Sequence, residues 1–201
     1  MNFKKVALIA AIVATSSVAM AGEGFYAGVG VSAVGSSFNR IETGANLDMN
    51  TGATSTVGVI DVGYSYKVNK DWSMGVGATY DMGKAKAGYV DDTDLDLHIS
   101  TKNHYSVYVQ PSFNLNANTA VFGKVGYHSI KLEVFDGNDV GGNDSQTLHG
   151  VGYGFGVRTM ATKNIYVQAE VQWVDYKAKT DAVDTNKLKT TSGIITVGYQ
   201  Y

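Results

Sequence analysis

The sequence predicts an all-β protein, an eight-stranded antiparallel up-and-down transmembrane β-barrel, on three observations. Apolar residues alternate with small or polar ones in eight segments, long polar stretches alternate with tight turns between them, and the chain ends on aromatic residues. A period of two is typical of strands whose two faces meet different surroundings. In a membrane barrel, lipid contacts one face and the lumen contacts the other.

The eight segments share the same pattern, in which every second residue is apolar and points toward the predicted lipid face. The clearest example is the last one, where Ile195, Val197 and Tyr199 are separated by small or polar residues. The apolar positions of the eight segments begin at Phe25, Gly58, Trp72, Tyr105, Val121, Val151, Ile165 and Ile195.

The connections predict the orientation of the barrel. Short turns of outer-membrane barrels lie on the periplasmic side and long loops lie outside the cell, so we expect four extracellular loops and both termini in the periplasm. The predicted loops cover 35–53, 84–102, 133–147 and 177–189, and the predicted turns cover 68–70, 115–118 and 160–163.

The N-terminus reads as a secretory signal peptide. Lys4 and Lys5 precede a short apolar run over 6–14, and an A-x-A pattern predicts cleavage between Ala21 and Gly22. We therefore expect a signal peptide over 1–21 and one barrel domain over 22–201. The run is too short to span a bilayer, so a membrane anchor is the weaker interpretation.

Charge and cysteine content narrow the classes of function. The chain has a net charge of −2 and no cysteine. Without the two signal-peptide lysines it is more acidic still, which argues against a nucleic-acid partner. A closed barrel satisfies its backbone hydrogen bonds internally and needs no disulfide. Since it also has no free strand edge, we expect a monomer.

A soluble barrel of the lipocalin type is the main alternative fold. It would place its apolar residues inside and its polar residues outside. The polar face here consists largely of Gly, Ser, Gln and isolated charges, which suit a narrow lumen better than an apolar ligand cavity. Aromatic residues near the strand ends also favour the membrane barrel, since such barrels carry aromatic girdles.

Four charged residues are predicted to face the lumen. Asp61, Lys124 and Glu170 lie at similar heights on their strands, and Arg158 lies lower. The interior of an eight-stranded barrel is just wide enough for side chains to fill, so these charges must be paired or hydrated. They form either a gate in a narrow water path or a structural network that holds the barrel's shape.

Other polar clusters carry weaker signals. The second and third predicted loops are rich in Asp and Asn but lack the full calcium-loop pattern. Histidines and serines occur together near the outer strand ends, without the spacing of a nucleophile and its base. We therefore expect no catalytic, metal or cofactor site and no enzyme. The residues concerned are Asp91, Asp92, Asp94, Asp96, Asp136, Asn138, Asp139, Asn143, Asp144, His98, His104, His128 and His149.

The whole mature chain resembles the small outer-membrane β-barrel family of the OmpA and OmpX type, with its opacity-protein-like relatives. The resemblance rests on GFYAGVGVS at 24–32, FGKVGYHS at 122–129, GVGYGFGVR at 150–158 and ITVGYQY at 195–201. It implies the outer membrane of a Gram-negative cell, with lipid and lipopolysaccharide as neighbours. It also implies insertion by the barrel assembly machinery and periplasmic chaperones, with Tyr199 and Tyr201 as the terminal assembly signal.

Three functions are compatible with these observations. The first is a structural anchor that presents four extracellular loops to host surfaces, phage or lipopolysaccharide. The second is a narrow gated pore for ions and small solutes, and the third is a lipid A-modifying enzyme. The loops carry no fixed recognition motif, so the sequence names no ligand.

Overall fold

A computed structural model of the chain describes residues 23–42, 48–92, 95–136, 143–177, 179–180 and 184–201. No helix in this part of the chain is long and apolar enough to cross a membrane. The strands are β1 (Gly24–Glu42), β2 (Asp48–Lys67), β3 (Trp72–Met82), β4 (Lys84–Asp92), β5 (Leu95–Asn114), β6 (Thr119–Asp136), β7 (Asn143–Met160), β8 (Ile165–Tyr176), β9 (Lys179–Thr180) and β10 (Asp184–Gln200).

These strands close into an eight-stranded antiparallel barrel, which confirms the predicted fold. The neighbours run in the order β1, β2, β3, β5, β6, β7, β8 and β10, and β10 pairs back with β1. β4 pairs with β5 and follows β3 after Gly83, whose φ of +118° suits a glycine. The two-residue β9 pairs with β10.

The outward face of the barrel is apolar through its middle and aromatic near its ends. Val29, Val76 and Val125 are each more than half exposed, as expected for side chains that contact lipid. Near the turns, the Trp72 and Phe113 rings meet edge to face with centroids 5.2 Å apart. The alternation therefore assigns the lipid face as the sequence predicts.

The long polar stretches are for the most part strands, which corrects the prediction of four long loops. β1 extends to Glu42 and pairs with β10 throughout, and β6 extends to Asp136 and pairs with β7. Outside the bilayer, outward side chains meet water, so polar residues there do not interrupt the sheet. The acidic side chains considered as calcium ligands lie outside the described residues or in strand ends whose side chains are not described.

The interior changes character along the barrel axis. In the membrane region the inward side chains are mostly polar or aromatic, whereas near the loop end they form a buried apolar cluster. We call it the loop-end plug. Because the outward face is solvated at this height, the extended barrel has the apolar inside of a soluble domain. The plug contains Ala87, Ile99, Ile130, Leu132, Leu148, Val174, Tyr176 and Leu188.

Glycines on the inward face make room for large inward side chains on neighbouring strands. A Cβ built on Gly77 would lie 2.6 Å from the Cζ of Tyr108, and one on Gly198 would lie 2.3 Å from the Cζ of Tyr166. His128 covers Gly152 in the same way. The many glycines of the strands therefore allow a narrow barrel to be filled by aromatic rings.

The three tight turns share one capping interaction. Asn69, Asn116 and Thr162 each accept hydrogen bonds through the side-chain oxygen from the backbone N–H groups two and three residues later. Such side chains stabilise turns by replacing a backbone partner. The turns therefore lie where the sequence predicts them, with the last one shifted to 161–164.

Candidate functional site in the barrel interior

A buried ion pair lies at the centre of the lumen. Lys124 Nζ on β6 is 2.6 Å from Glu170 Oε2 on β8, and the two side chains are 3% and 1% exposed. β7 lies between these strands and contributes Gly154, where an added Cβ would lie 3.2 Å from Glu170 Oε1. The absent side chain leaves space for the pair to meet across the intervening strand.

Asp61 belongs to the same network, but it contacts a tyrosine instead of a cation. Its carboxylate accepts a hydrogen bond of 2.5 Å from the Tyr108 hydroxyl, which also lies 2.8 Å from the Tyr26 hydroxyl. Lys124 Nζ lies 4.2 Å from the centre of the Tyr108 ring. Tyr108 thus connects the carboxylate of Asp61 to the charge of Lys124.

Arg158 completes the network from the turn side. Its Nε donates a hydrogen bond of 2.8 Å to Gln168, whose amide donates in turn to Glu170 at 3.3 Å. The guanidinium carbon lies 4.4 Å from the ring centres of both Tyr26 and Tyr166. The four predicted charges are therefore connected, although Lys124 and Glu170 are the two of these four that form an ion pair in the described part of the chain.

The residues that join these charges are aromatic or amide side chains that the sequence analysis did not single out. The alternation assigns Tyr26, Tyr108 and Gln168 to the inward face. It does not indicate that a tyrosine hydroxyl will contact Asp61, because that contact depends on the stagger between strands.

A second polar chain lies in the lumen nearer the loop end. His104 Nδ1 is 2.7 Å from Asp81 Oδ2, His104 Nε2 is 3.0 Å from His128 Nδ1, and His128 Nε2 is 3.3 Å from Gln172 Nε2. The carboxylate only accepts and the amide nitrogen only donates. With both rings neutral, each histidine therefore carries its hydrogen on Nδ1.

The predicted sites outside the lumen are placed as follows. Ala21 and Gly22, the predicted cleavage position, lie outside the described residues. Tyr199 is 44% exposed at the end of β10, and its ring meets that of Tyr201 with centroids 4.7 Å apart. The assembly signal stays a prediction. In the described part of the chain, no three His, Asp or Glu side chains are grouped to hold a metal ion.

The lumen also contains a cavity at its turn end. We call it the turn-end cavity; its volume is 440 Å³, and its lining includes Arg158, Gln110, Gln200, Lys67 and Lys70. At the other end, beside His104 and below the loop-end plug, the space is only 20 Å³. The lumen is therefore open toward the turns and nearly filled toward the loops.

Solved structures share this barrel at low sequence identity. OprG from Pseudomonas aeruginosa is 15% identical, with a TM-score of 0.57 over 90% of this chain and 97% of that one. Neisserial surface protein A is 16% identical, with a TM-score of 0.52 over 90% and 99%. The outer membrane protease OmpT from Escherichia coli is 8% identical, with a TM-score of 0.50 over 92% and 99%.

Identities this low show the fold alone. No curated protein matches the sequence. Residues 6–201, however, match the family described as the outer membrane protein beta-barrel domain. The match covers nearly the whole chain, and the chain belongs to this family of outer-membrane β-barrels.

Proposed function

We propose that this protein is a closed outer-membrane barrel that acts through its cell-surface end. Both termini and the three turns face the periplasm in this proposal. The barrel anchors paired strands that extend beyond the membrane and present the connections at 43–47 and 137–142. Their partners are lipopolysaccharide in the outer leaflet and host surfaces or phage outside the cell.

The observation that carries the proposal is that the lumen is filled from its centre to its loop end. The ion pair between Lys124 and Glu170 occupies its centre, and the loop-end plug fills it above the membrane. A buried apolar cluster there stabilises a rigid extension that a solute channel would not need. The packing of the interior therefore favours a rigid, closed barrel over a solute channel.

Individual lysines on the extension support a contact with lipopolysaccharide phosphates, beside strand ends and connections that are rich in acidic residues. Its described outward side chains include six lysines and two carboxylates, and both carboxylates pair with lysine. Glu133 contacts Lys84 and Lys102, and Asp175 contacts Lys189. The remaining lysines have no ion-pair partner in the described part of the chain and can pair with phosphate. They are Lys86, Lys131 and Lys177.

A narrow gated pore is the second candidate, and the turn-end cavity favours it. The cavity reaches Arg158, which is linked through Gln168 to the buried ion pair. Separation of Lys124 from Glu170 would lengthen the cavity toward the loops. Conduction would still require the loop-end plug to open, so two independent changes are needed.

Single-channel recording in a planar bilayer tests the choice between these functions. We expect the refolded mature chain and its Glu170→Ala variant to be silent, because the loop-end plug remains in both. Discrete current steps in the parent chain that change in the variant would contradict a closed barrel and support the gated pore. Circular dichroism of the same samples establishes that both are folded.

Replacement of the surface connections tests the interaction itself. Exchanging 43–47 and 137–142 for Gly-Ser segments should abolish adhesion of expressing cells to a host surface while the barrel stays folded. A Gly-Ser exchange at 117–118, in a turn and without change to the capping Asn116, is the matched control and should have no effect on adhesion. Equal adhesion by all three proteins would contradict the proposal.

A lipid A-modifying enzyme is the third hypothesis. In the described part of the chain, neither His104 nor His128 bonds a serine or threonine hydroxyl; their partners are Asp81, each other and Gln172. This arrangement lacks the paired nucleophile that acyl transfer requires. Substitution of each histidine should therefore leave the lipid A mass spectrum unchanged.

A further inference from the structure

We propose that the turn-end cavity is a binding site for the oxyanion group, phosphate or carboxylate, of a small periplasmic solute. This inference goes beyond the surface function above and does not depend on conduction. Three features of the cavity carry it: a rigidly held arginine, unpaired buried polar atoms, and an excess of positive charge.

Arg158 is held in one orientation from three sides. The guanidinium carbon lies 4.4 Å from the ring centres of both Tyr26 and Tyr166, whose rings meet edge to face, and Gln168 accepts from Nε at 2.8 Å. Of the guanidinium nitrogens, Nη2 has no hydrogen-bond partner in the described part of the chain, so it is the one that a ligand could engage. An arginine fixed in this way offers a charged donor to an oxygen of a carboxylate or phosphate.

Unpaired polar atoms occur on three residues that line this cavity. Arg158 Nη2, Gln200 Nε2 and Gln110 Oε1 are buried without a hydrogen-bond partner in the described part of the chain. Gln110 and Gln200 are each only 3% exposed. Buried donors and acceptors are normally paired, so these atoms favour a ligand with several oxygens.

The charge around the cavity indicates the sign of the ligand. Its lining includes Lys67, Lys70 and Arg158, and Asp71 is its one carboxylate. Neither lysine forms an ion pair among the described residues. The chain as a whole is acidic, so the positive charge at this cavity is a local excess. A local excess of positive charge would concentrate anions at the mouth of the cavity.

The ligand that fits is therefore a small anion with both accepting oxygens and a hydroxyl. These three atoms are not exposed to water in the structure, so a ligand reaches them once the side chains turn toward the cavity. Its oxygens would then accept from Arg158 Nη2 and Gln200 Nε2, and its hydroxyl would donate to Gln110 Oε1. Monohydrogen phosphate has this combination of groups. A carboxylate would pair with the two donors but has no hydroxyl to donate. Phosphate and carboxylate ligands therefore differ in whether they hydrogen-bond to Gln110 Oε1.

Solution NMR of the refolded mature chain tests the site with inorganic phosphate as the probe. At constant ionic strength, with chloride as the balancing anion, we expect saturable shifts of the Arg158 Nε–H and of the Gln110 and Gln200 amides. A parallel titration with acetate that shifts Arg158 and Gln200 but not Gln110 would assign a carboxylate ligand. A separate titration with chloride alone that shifts the same resonances as much as phosphate does would overturn the proposal.

Matched variants show whether the cavity is responsible. Lys67→Gln/Lys70→Gln at the mouth should weaken phosphate binding several-fold, and Arg158→Gln should weaken it by about tenfold or more. Lys163→Gln, in a turn that does not line the cavity, should bind as the parent does. If Arg158→Gln does not fold, the double lysine variant decides. Equal binding by that variant and the parent would overturn the proposal.

Discussion

At the residue scale, removing one partner of the ion pair between Lys124 and Glu170 should strongly destabilise the protein, whereas replacing both partners should change the free energy of unfolding little. Both side chains are almost completely buried, so removing one partner leaves a charge without compensation. We expect Lys124→Met to lower the free energy of unfolding by about 3–5 kcal/mol. The measurement is urea unfolding in detergent micelles, followed by tryptophan fluorescence.

The double variant is the control for this prediction. Lys124→Met/Glu170→Leu removes both charges and keeps the volume, so it should recover most of the stability that either single change loses. A double variant as unstable as the sum of the single ones would show that the two charges do not act as a pair.

The histidine chain fixes a tautomer that NMR can observe. His104 and His128 should both carry hydrogen on Nδ1, because Asp81 accepts at one end and Gln172 donates at the other. Long-range proton–nitrogen correlations of the imidazole rings measure this directly. Asp81→Ala removes the acceptor and should release His104 toward the Nε2 form, and an Nε2 form in the parent would contradict the assignment.

The sequence predicts which residues face the lumen better than it predicts their partners. Alternation assigns Asp61, Lys124 and Glu170 to one face because inward positions repeat every two residues. Their contacts depend on the stagger of strands around the barrel, which a single strand does not encode. Asp61 contacts Tyr108 on a strand that is two positions away in the sheet, and no local pattern indicates this.

At the element scale, inward glycines should resist substitution where an aromatic ring covers them. A Cβ on Gly77 would lie 2.5 Å from the Tyr108 hydroxyl and 2.6 Å from the Val62 carbonyl oxygen. We expect Gly77→Ala to destabilise the barrel by about 1–3 kcal/mol, as overpacking does. The control is Gly123→Ala, where an added Cβ meets no atom within 4 Å. Equal stability losses in the two variants would contradict this explanation.

The strand extension beyond the membrane contains a carboxylate with a pH-dependent contribution. Hydrogen bonds from Lys102 and Lys84 lower the pKa of Glu133 below its usual range. A lowered pKa in the folded state means that this contribution is present above the usual pKa of Glu and is lost as the pH falls through the lowered value. Acidification should therefore loosen the contacts of β4 and β5 with β6.

Carboxyl carbon shifts of Glu133 during a pH titration measure this effect. Lys84→Met/Lys102→Met should move the pKa of Glu133 upward, toward its usual range. Lys189→Met, which removes the partner of Asp175 instead, should leave the pKa of Glu133 unchanged. No upward movement in the double variant would contradict the assigned cause.

The length of the strands was the part of the fold that the sequence predicted least well. Over 35–42 and 48–53 the alternation of apolar and polar residues fades in the sequence. The pairing nevertheless continues from Gly35 with Thr191 to Glu42 with Asp184. Alternation of apolar and polar residues indicates the part of a strand that crosses the membrane, whereas backbone hydrogen bonds continue wherever two strands stay adjacent.

At the scale of the whole molecule, the distribution of charge and of filled space gives the two ends of the barrel different properties. The turn end is open and lined by lysine and arginine, whereas the loop end is closed by apolar side chains. The membrane orientation therefore decides which compartment each end meets. A solute site at the turn end serves the cell only if the turns face the periplasm.

Single cysteines can determine this orientation without background labelling, since the chain has none. Ala117 is exposed in a turn, and Thr147 is exposed on the extension of β7 beyond the membrane. On intact cells, a membrane-impermeant maleimide should label Thr147→Cys and should label Ala117→Cys only after the outer membrane is permeabilised. The reverse result would place the turns outside the cell, and the turn-end cavity and its lysines would then face the environment.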